Sequence, residues 1–510
     1  MRVRPSEAPR WTVAQLAGHL STGAPESGGD VIFTGIALNT AQVQPGDLYA
    51  ALPGARSHGA DYAAQAIGAG AVAILTDPDG ATRISGVPVV VVKQPRTVLA
   101  DLSAEFYGHP TAAMTTVGIT GTQGKTTTTY LAEAALAPKR SAVVGTIGTR
   151  ICGVQAASAL TTPEAPQLQA LFSVMREEAV EVCAMEVSSH ALVQGRVDGF
   201  AFDIAVFLNL GRDHLDFHET VEEYFLAKAA LLTPEHAKHA VINVDDAYGR
   251  RLIELTSLPV TTFSTGGAAA DWQAVNVRPH RLGTDLEVLG PDGSATELHV
   301  PLAGVFNVSN ALAALAALAT AGHDPSELAT GIAASSGVPG RMERVEAGQD
   351  FTAIVDYAHK PDAVTAVLAA LRPVTAGRLI VVLGAGGDRD HGKRPLMGAA
   401  AAKAADVVIV TDDNPRTERP AVIRAEVLAG AEAGPGVAVE VPGRREAIAH
   451  AVAMAHLGDT VVVAGKGHER GQEIDGVVHP FDDHAILVEL IGAGQNGAGQ
   501  NGASHQGDAQ

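Results

Sequence analysis

Cysteine is nearly missing from this chain: 510 residues include only two, Cys152 and Cys183. They are too few for a disulfide framework and lack metal-ligand spacing, so a reducing, cytoplasmic setting is expected. Aromatic residues are also scarce, at 4% of a chain that is 46% hydrophobic. Cores must therefore be built from Ala-rich helices and Val/Ile strands, which suits α/β layers. Positive charge is the third deficit, with 36 Lys and Arg against 56 Asp and Glu and a formal charge of −20. That balance argues against nucleic acid or an anionic membrane as a partner, though not against a local basic pocket for phosphate. No apolar run approaches the roughly 18 residues of a membrane span, so no membrane insertion is expected. The opening MRVRPSEAPRW has no apolar core of a secretory signal.

Length alone predicts about three domains. Runs 71–76 (AVAILT) and 87–92 (VPVVVV) read as buried strands and 96–107 as a helix. Gly and Pro in EFYGHPT (105–111) suggest a first boundary, giving a domain over 1–111. A second α/β unit is expected over 112–339, ending near SSGVPGRMERV. A third, over 340–491, has strand candidates at 351–356, 379–383, 407–410 and 460–463. The tail 492–510, GAGQN-rich and without an apolar residue larger than Ala, is expected to be disordered.

What the chain does have is Gly121-Thr122-Gln123-Gly124-Lys125-Thr126-Thr127, between a strand-like run at 114–120 (MTTVGIT) and a helix-like one at 126–136. A Gly-rich turn there lets backbone N–H groups approach a phosphate at the positive end of a helix. Lys125 is placed to reach the β/γ-phosphates and the Thr126 hydroxyl to ligate Mg²⁺, which predicts an ATP site. The strict phosphate-loop pattern is not met, because its first glycine falls on Ile119, with Gly118 and Gly121 on either side. The bland alternative is a Gly-rich αβ turn that binds nothing.

Three further elements follow. Strand-like 182–187 (VCAMEV) carries Glu186; 205–210 (AVFLNL) leads into Gly211-Arg212-Asp213-His214; and helix-like 224–232 (YFLAKAALL) contains one lysine, Lys228. A carboxylate ending a strand beside a phosphate loop is where a metal ligand is expected. Taken singly, Glu186 reads equally as a surface charge, His214 as a hydrogen-bonded structural histidine, and Lys228 as a residue snorkelling to water. A half-buried lysine is also easily deprotonated, and so nucleophilic.

Together these residues resemble the Mur ligase family of ATP-dependent amide-forming enzymes. The resemblance is carried by GTQGKTT (121–127), LTTPEAP (160–166), MEVSSHAL (185–192), NLGRDHLDFH (209–218), FLAKAALL (225–232), GVFNVSNALAA (304–314), PGRMERV (339–345), DYAHKP (356–361), GAGGDRDHGKRP (384–395), DDNPR (412–416) and AGKGHE (464–469). It implies an α/β fold of three domains: a UDP-sugar-binding domain, a P-loop ATPase domain and a Rossmann-like amino-acid-binding domain. It also implies addition of a third residue, meso-2,6-diaminopimelate, to UDP-N-acetylmuramoyl-L-alanyl-D-glutamate in peptidoglycan precursor synthesis, by a monomer.

The resemblance assigns roles by position. Thr126 and Glu186 would hold one Mg²⁺ and His214 a second, with Lys125, Glu186, His214 and Lys228 catalytic. Lys228 would take up CO₂ as a carbamate (N6-carboxylysine) and join the metal ligands. Asn307, Arg341 and Asp356 would contact the nucleotide alongside the 121–127 loop. Thr161, Thr162, Ser188, Gln194 and Arg196 would hold the nucleotide-sugar substrate, with Leu38 and Thr40 on its uridine side. There the usual Asp-Ser-Arg reads Asn39-Thr40-Ala41. Leu160 stands where some relatives have Asn, and Lys360 where Thr is usual. Arg389, Asp413, Asn414, Pro415, Arg416, Gly465 and Glu469 would select the amino acid. Arg416 would offer a planar fork to the distal carboxylate and Glu469 would face the distal ammonium.

The implied chemistry has two steps, an acyl phosphate formed on the D-glutamyl carboxylate and its capture by the amine. Closure of the third domain would exclude water. Two other readings remain at this point: a folylpoly-γ-glutamate synthase and a silent nucleotide-binding scaffold. LL-diaminopimelate, L-lysine and L-ornithine are the alternative acceptors.

Overall fold

The computed structural model describes residues 2–501 except 24, 26, 215 and 216, with side chains through 493. The chain divides into two compact units. The first comprises 1–273, 289–296 and 310–331, and the second 274–288, 297–309 and 332–510.

Besides the short two-stranded pair Trp11–Thr12 and Ile32–Phe33, the first unit holds two sheets. The smaller is four parallel strands in sequential order, Gly35–Ala37, Asp47–Ala51, Ala73–Thr76 and Val89–Val91. Asp47, fully buried, anchors it by accepting both nitrogens of Arg4 at 2.6 and 2.7 Å. The larger, eleven-stranded sheet runs in the order Val154–Ala156, Gly148–Ile151, Ser141–Gly145, Val182–Glu186, Thr115–Thr120, Phe202–Phe207, Ala237–Asn243, Val260–Ser264, Trp272–His280, Gly283–Leu289, Ala295–Val300. From Ser141–Gly145 to Val260–Ser264 these strands are parallel. The predicted first boundary falls on the turn Pro110–Ala113. It separates two sheets of one unit, because Ala170 of the helix Ala165–Glu177 packs into the core of the smaller sheet.

The second unit is built on strands Glu343–Val345, Thr352–Asp356, Thr460–Ala464, Leu379–Leu383, Val407–Val410 and Val437–Glu440, in that spatial order. Only the first pair is antiparallel. These β strands are near-continuous Val/Ile/Leu runs because helices cover both faces of a parallel sheet. The four strands anticipated in this region are all present.

Two expectations change. The strand anticipated at 205–210 is Phe202–Phe207, because its pairing with Thr115–Thr120 ends at Phe207↔Thr120, where the partner turns into the glycine loop. Segments 274–288 and 297–309 belong to the second compact unit, within which Arg344 Nη1 donates to the Arg281 carbonyl at 3.1 Å. The last helix is Asp483–Asn501, so it carries ten residues of the segment expected to be unstructured. Extending an existing helix needs no new nucleus, which lets weak formers follow the buried Leu487 and Ile491. Residues 502–510 lie outside the described residues. Among the described residues, no helix is long and apolar enough to cross a membrane.

Candidate active site

Parallel sheets gather function at the carboxyl ends of their strands, and both units follow that rule. In the first, neighbouring strands end at Thr120, Glu186 and Phe207. The 121–127 turn leads from Thr120 into the helix Lys125–Ala135. Gly124, at φ +91°, is the residue before the helix; a Cβ there would strike Asn310 Oδ1. The first intrahelical bond is Thr128 N to Gly124 O at 2.9 Å, so the amides of 125–127 lie outside the helical ladder and form its anion-attracting end. The Thr122 and Gln123 amides are engaged otherwise, donating to the Asn209 carbonyl and to Asn209 Oδ1, both at 3.0 Å. Gly118 belongs to packing and not to the turn, since a Cβ would meet the Phe202 ring at 2.9 Å.

Two lysines converge on this turn. Lys125 Nζ donates to the Gly121 carbonyl at 2.8 Å and Lys228 Nζ to the same oxygen at 2.9 Å. Lys228 sits on the helix Val221–Ala229, which Thr220 caps, and is 1% exposed. Burial first, and the Lys125 charge next, push its amine well below the usual lysine range, against a smaller opposing pull from Asp213. Its Nζ lies 4.6 Å from the Tyr224 ring centroid, and the Tyr224 hydroxyl is 3.2 Å from Thr122 Oγ1.

Glu186 is also buried, at 1% exposure. Its two carboxylate oxygens accept from Thr146 N at 2.8 Å and Thr146 Oγ1 at 3.1 Å. Behind it lies the polar group expected from sequence. Thr162 Oγ1 donates to Glu186 O at 2.8 Å and Ser188 N donates to Thr162 Oγ1 at 3.1 Å. Thr161 Oγ1 is 3.0 Å from Thr146 Oγ1. Arg196 reaches the Thr162 carbonyl at 2.9 Å, Gln194 Oε1 at 2.6 Å and Glu164 Oε1 at 3.0 Å. Thr161, Thr162, Ser188, Gln194 and Arg196 therefore form one group. Leu38, against the smaller core, and Thr40, opening a short 3-10 turn, share no hydrogen bond with it among the described residues. His214 has φ +52°, and its ring stands edge-on to His190 at 4.9 Å.

In the second unit, Asp356, Ala464, Leu383 and Val410 end adjacent strands. Buried Asp356 accepts from Met342 N at 2.7 Å and Ala358 N at 2.8 Å, while burial raises its carboxyl pKa. The Arg341 guanidinium lies 4.2 Å over the Tyr357 ring. Asn307 Nδ2 donates to the Ala303 carbonyl at 2.8 Å.

The Asp413-Asn414-Pro415-Arg416 run folds against the loop after Leu383. Arg416, at φ +52°, donates through Nη1 to Gly387 O at 2.7 Å and through Nε to Glu473 Oε2 at 3.0 Å. Asn414 Nδ2 donates to Glu469 Oε2 at 2.9 Å, while Asn414 Oδ1 accepts from Lys466 Nζ and Glu473 N, each at 3.0 Å. Lys466, fully buried, also reaches Glu469 Oε2 at 3.1 Å. Gly465, at φ +117°, makes room: a Cβ there would meet Asp413 Oδ2 at 2.5 Å. The side chain of Arg389, on the same rim, passes 3.9 Å from the Cβ position of Gly386.

Sequence reasoning did not single out Asn209, Thr146, Tyr224, Lys466 or Glu473. Asn209, Tyr224 and Lys466 lay inside or next to quoted blocks, but their partners are distant in the chain. Thr146 and Glu473 left no signal beyond being polar.

Comparison with known proteins identifies the family. The chain matches the Mur ligase family catalytic domain over 32–107, the Mur ligase middle domain over 119–318 and the Mur ligase glutamate ligase domain over 340–467. It is 54% identical over 496 residues to the UDP-N-acetylmuramoyl-L-alanyl-D-glutamate–2,6-diaminopimelate ligase of Streptomyces avermitilis, covering 96% of this chain and 98% of that one. Identity to the enzyme of the same name from Corynebacterium glutamicum is 48% over 484 residues, covering 91% and 93%. A solved structure of a UDP-N-acetylmuramoyl-L-alanyl-D-glutamate–2,6-diaminopimelate ligase superposes with a TM-score of 0.68 at 33% identity, covering 95% of this chain and 99% of that one. The chain belongs to the Mur ligase family.

Proposed function

We propose that this protein is an ATP-dependent ligase joining meso-2,6-diaminopimelate to the D-glutamyl carboxylate of UDP-N-acetylmuramoyl-L-alanyl-D-glutamate, as a cytoplasmic monomer. The observation that carries the acceptor is the Asn414 junction. It ties a guanidinium fork (Arg416, through Glu473) and a carboxylate (Glu469) into one rigid group. Such a pair matches an amino acid whose far end is itself a zwitterion. Lysine and ornithine lack the carboxylate that the free edge of Arg416 would take.

The residues of the first unit fit the family's nucleotide and metal groups. Thr126 and Glu186 offer hard oxygen ligands, His214 an imidazole, and the Lys228 amine is held towards its neutral form, the form that adds CO₂. These four would hold two Mg²⁺, with Lys228 as its carbamate, and the ions would neutralise charge on the transferring phosphoryl group. Lys125, leaving the Gly121 carbonyl, would pair with the β/γ-phosphates, while the 125–127 amides cradle them. Asn307, Arg341 and Asp356 are assigned to the nucleotide. Thr161, Thr162, Ser188, Gln194 and Arg196, with Leu38 and Thr40 on the uridine side, are assigned to the muramoyl dipeptide. Its carboxylate attacks the γ-phosphorus, ADP leaves, and the amine of the acceptor displaces phosphate from the acyl carbon. The three matched regions support domains at 1–111, 112–339 and 340–491.

The test is phosphate release with ATP, Mg²⁺ and the muramoyl dipeptide, comparing meso- and LL-diaminopimelate, L-lysine and L-ornithine. Turnover with meso-diaminopimelate above the others is expected. A preference for lysine or ornithine overturns the Arg416 assignment, and silence with all four overturns the ligase reading.

A further inference from the structure

Three strands near the start of the second unit carry a group of side chains that the ligase reaction does not use. Trp272–His280 ends on His280, Gly283–Leu289 presents Asp285, and Ala295–Val300 presents His299. The ligand atoms of the three lie within 4.8 Å of one another. His299 Nδ1 is 2.8 Å from Asp285 Oδ1, and His280 Nε2 is 3.4 Å from Asp285 Oδ2. The two imidazoles stand nearly parallel, with centroids 5.6 Å apart and 28° between planes. Around a tetrahedral ion with bonds of about 2.0–2.1 Å, neighbouring ligand atoms are separated by roughly 3.3 Å. The two spacings to Asp285, each to a different carboxylate oxygen, bracket that value, and all three ligand atoms stay within 4.8 Å.

A second observation singles out His280. Its Nε2 is buried as an atom yet makes no hydrogen bond, although a carboxylate oxygen lies beside it. At the adjoining turn the Arg281 carbonyl accepts from Arg344 Nη1 at 3.1 Å. One contact opposes coordination. Leu282 N donates to His280 Nδ1 at 3.2 Å, and a metal on Nε2 leaves the proton on Nδ1. That contact must be given up, a small loss for one long, exposed hydrogen bond against a metal–nitrogen bond. The side chains are 33–48% exposed, so an ion can enter from solvent.

We propose that His280, Asp285 and His299 form a binding site for one imidazole-preferring divalent transition metal, of the Zn²⁺ class, with water completing the coordination. Two imidazoles and one carboxylate select Zn²⁺, Co²⁺ or Ni²⁺ over Mg²⁺, which prefers an all-oxygen shell. The site therefore differs in kind from the Thr126–Glu186 oxygen ligands of the phosphate loop. It joins three strands that are neighbours in one sheet, so an occupied site cross-links them.

The experiment uses the full-length, tag-free protein, stripped of metal and held in excess Mg²⁺ to saturate oxygen-ligand sites. It is titrated with Zn²⁺ by calorimetry and with Co²⁺ by visible absorption. The expected result is one ion more per chain in the wild type than in His299→Gln or Asp285→Asn, or binding in those variants weakened about tenfold or more. Visible Co²⁺ bands of a four- or five-coordinate site should disappear with them. Unchanged metal-free melting of the variants excludes misfolding as the cause. Equal stoichiometry and affinity in wild type and both variants, or no Zn²⁺ bound by the wild type, overturns the proposal and leaves a His–Asp–His cluster that binds no metal.

Discussion

Lys125 and Lys228, 103 positions apart in sequence, both donate their amines to the carbonyl of Gly121, at 2.8 and 2.9 Å. Two ammonium groups sharing one acceptor repel each other, and the more buried one yields. Burial and the Lys125 charge together hold the Lys228 amine well below its ordinary pKa. A neutral amine at working pH is the form that adds CO₂, and Lys228→Ala should therefore reduce turnover by about a hundredfold or more. Added acetate or propionate should restore part of it, because a small carboxylate can replace the carbamate. If methylamine rescues and carboxylates do not, the lysine works as an amine and the carbamate assignment fails.

Thr146 grips both oxygens of Glu186, through its amide at 2.8 Å and its hydroxyl at 3.1 Å. Thr146→Val keeps the shape and the amide but removes the hydroxyl. Since groups that orient a ligand typically matter by ten- to a hundredfold, the Mg²⁺ concentration for half-maximal turnover should rise about tenfold. Titrating Mg²⁺ against rate checks this; an unchanged curve would mean that the amide alone orients the carboxylate.

The 121–127 turn was legible because its parts are contiguous: a buried run, a glycine turn and a helix start need no tertiary information. The strands Leu379–Leu383 and Val407–Val410 were legible for a similar reason, since doubly covered strands are unbroken apolar runs. Thr146 and Glu473 were not. Each orients a candidate residue 40 or 57 positions away, and nothing in its neighbourhood differs from a surface polar residue. Asn209 was missed because its strand was placed three residues too late, which buried in a sheet the side chain that pairs with Gln123. The sharing of Gly121 by two lysines depends on strand order, which no local pattern encodes.

Arg416 is half engaged: its Nε and Nη1 bind Glu473 and the Gly387 carbonyl. This anchoring fixes the plane of the guanidinium, and a lysine cannot keep both contacts while still pairing with a carboxylate. Arg416→Lys should lower kcat/KM for meso-diaminopimelate about a hundredfold and leave the weak reaction with L-lysine nearly unchanged. Equal losses with both acceptors would point to a general structural role.

Lys466 lies fully buried beneath the same site, with Asn414 Oδ1 at 3.0 Å and Glu469 Oε2 at 3.1 Å. Lys466→Met fills similar volume but releases both partners, so Asn414 and Glu469 lose their fixed orientation. The KM for diaminopimelate should rise about tenfold while the KM for ATP stays the same. A parallel rise in both constants would place the effect in folding instead.

His468 connects this site to pH. Burial, and then the Arg341 charge, push its pKa down to about 4, and its buried Nδ1 has no hydrogen bond. In the unfolded chain the ring titrates near about 6.5. Between these values the unfolded state binds a proton that the folded state refuses. Its stabilising contribution is therefore complete above about pH 6.5, declines as pH falls towards 4, and is flat below. The ring is only half-buried, so solvent screening brings the ceiling of about 3 kcal/mol nearer to about 2. His468→Gln removes the titration and should flatten that part of the stability profile. Urea unfolding of wild type and variant at pH 7, 5.5 and 4.5 measures it. Carboxylates that also titrate in this window contribute alike to both proteins and cancel in the difference. A variant whose stability falls as steeply as the wild type's would show that His468 is protonated as readily folded as unfolded, and that Arg341 is too well screened to oppose it.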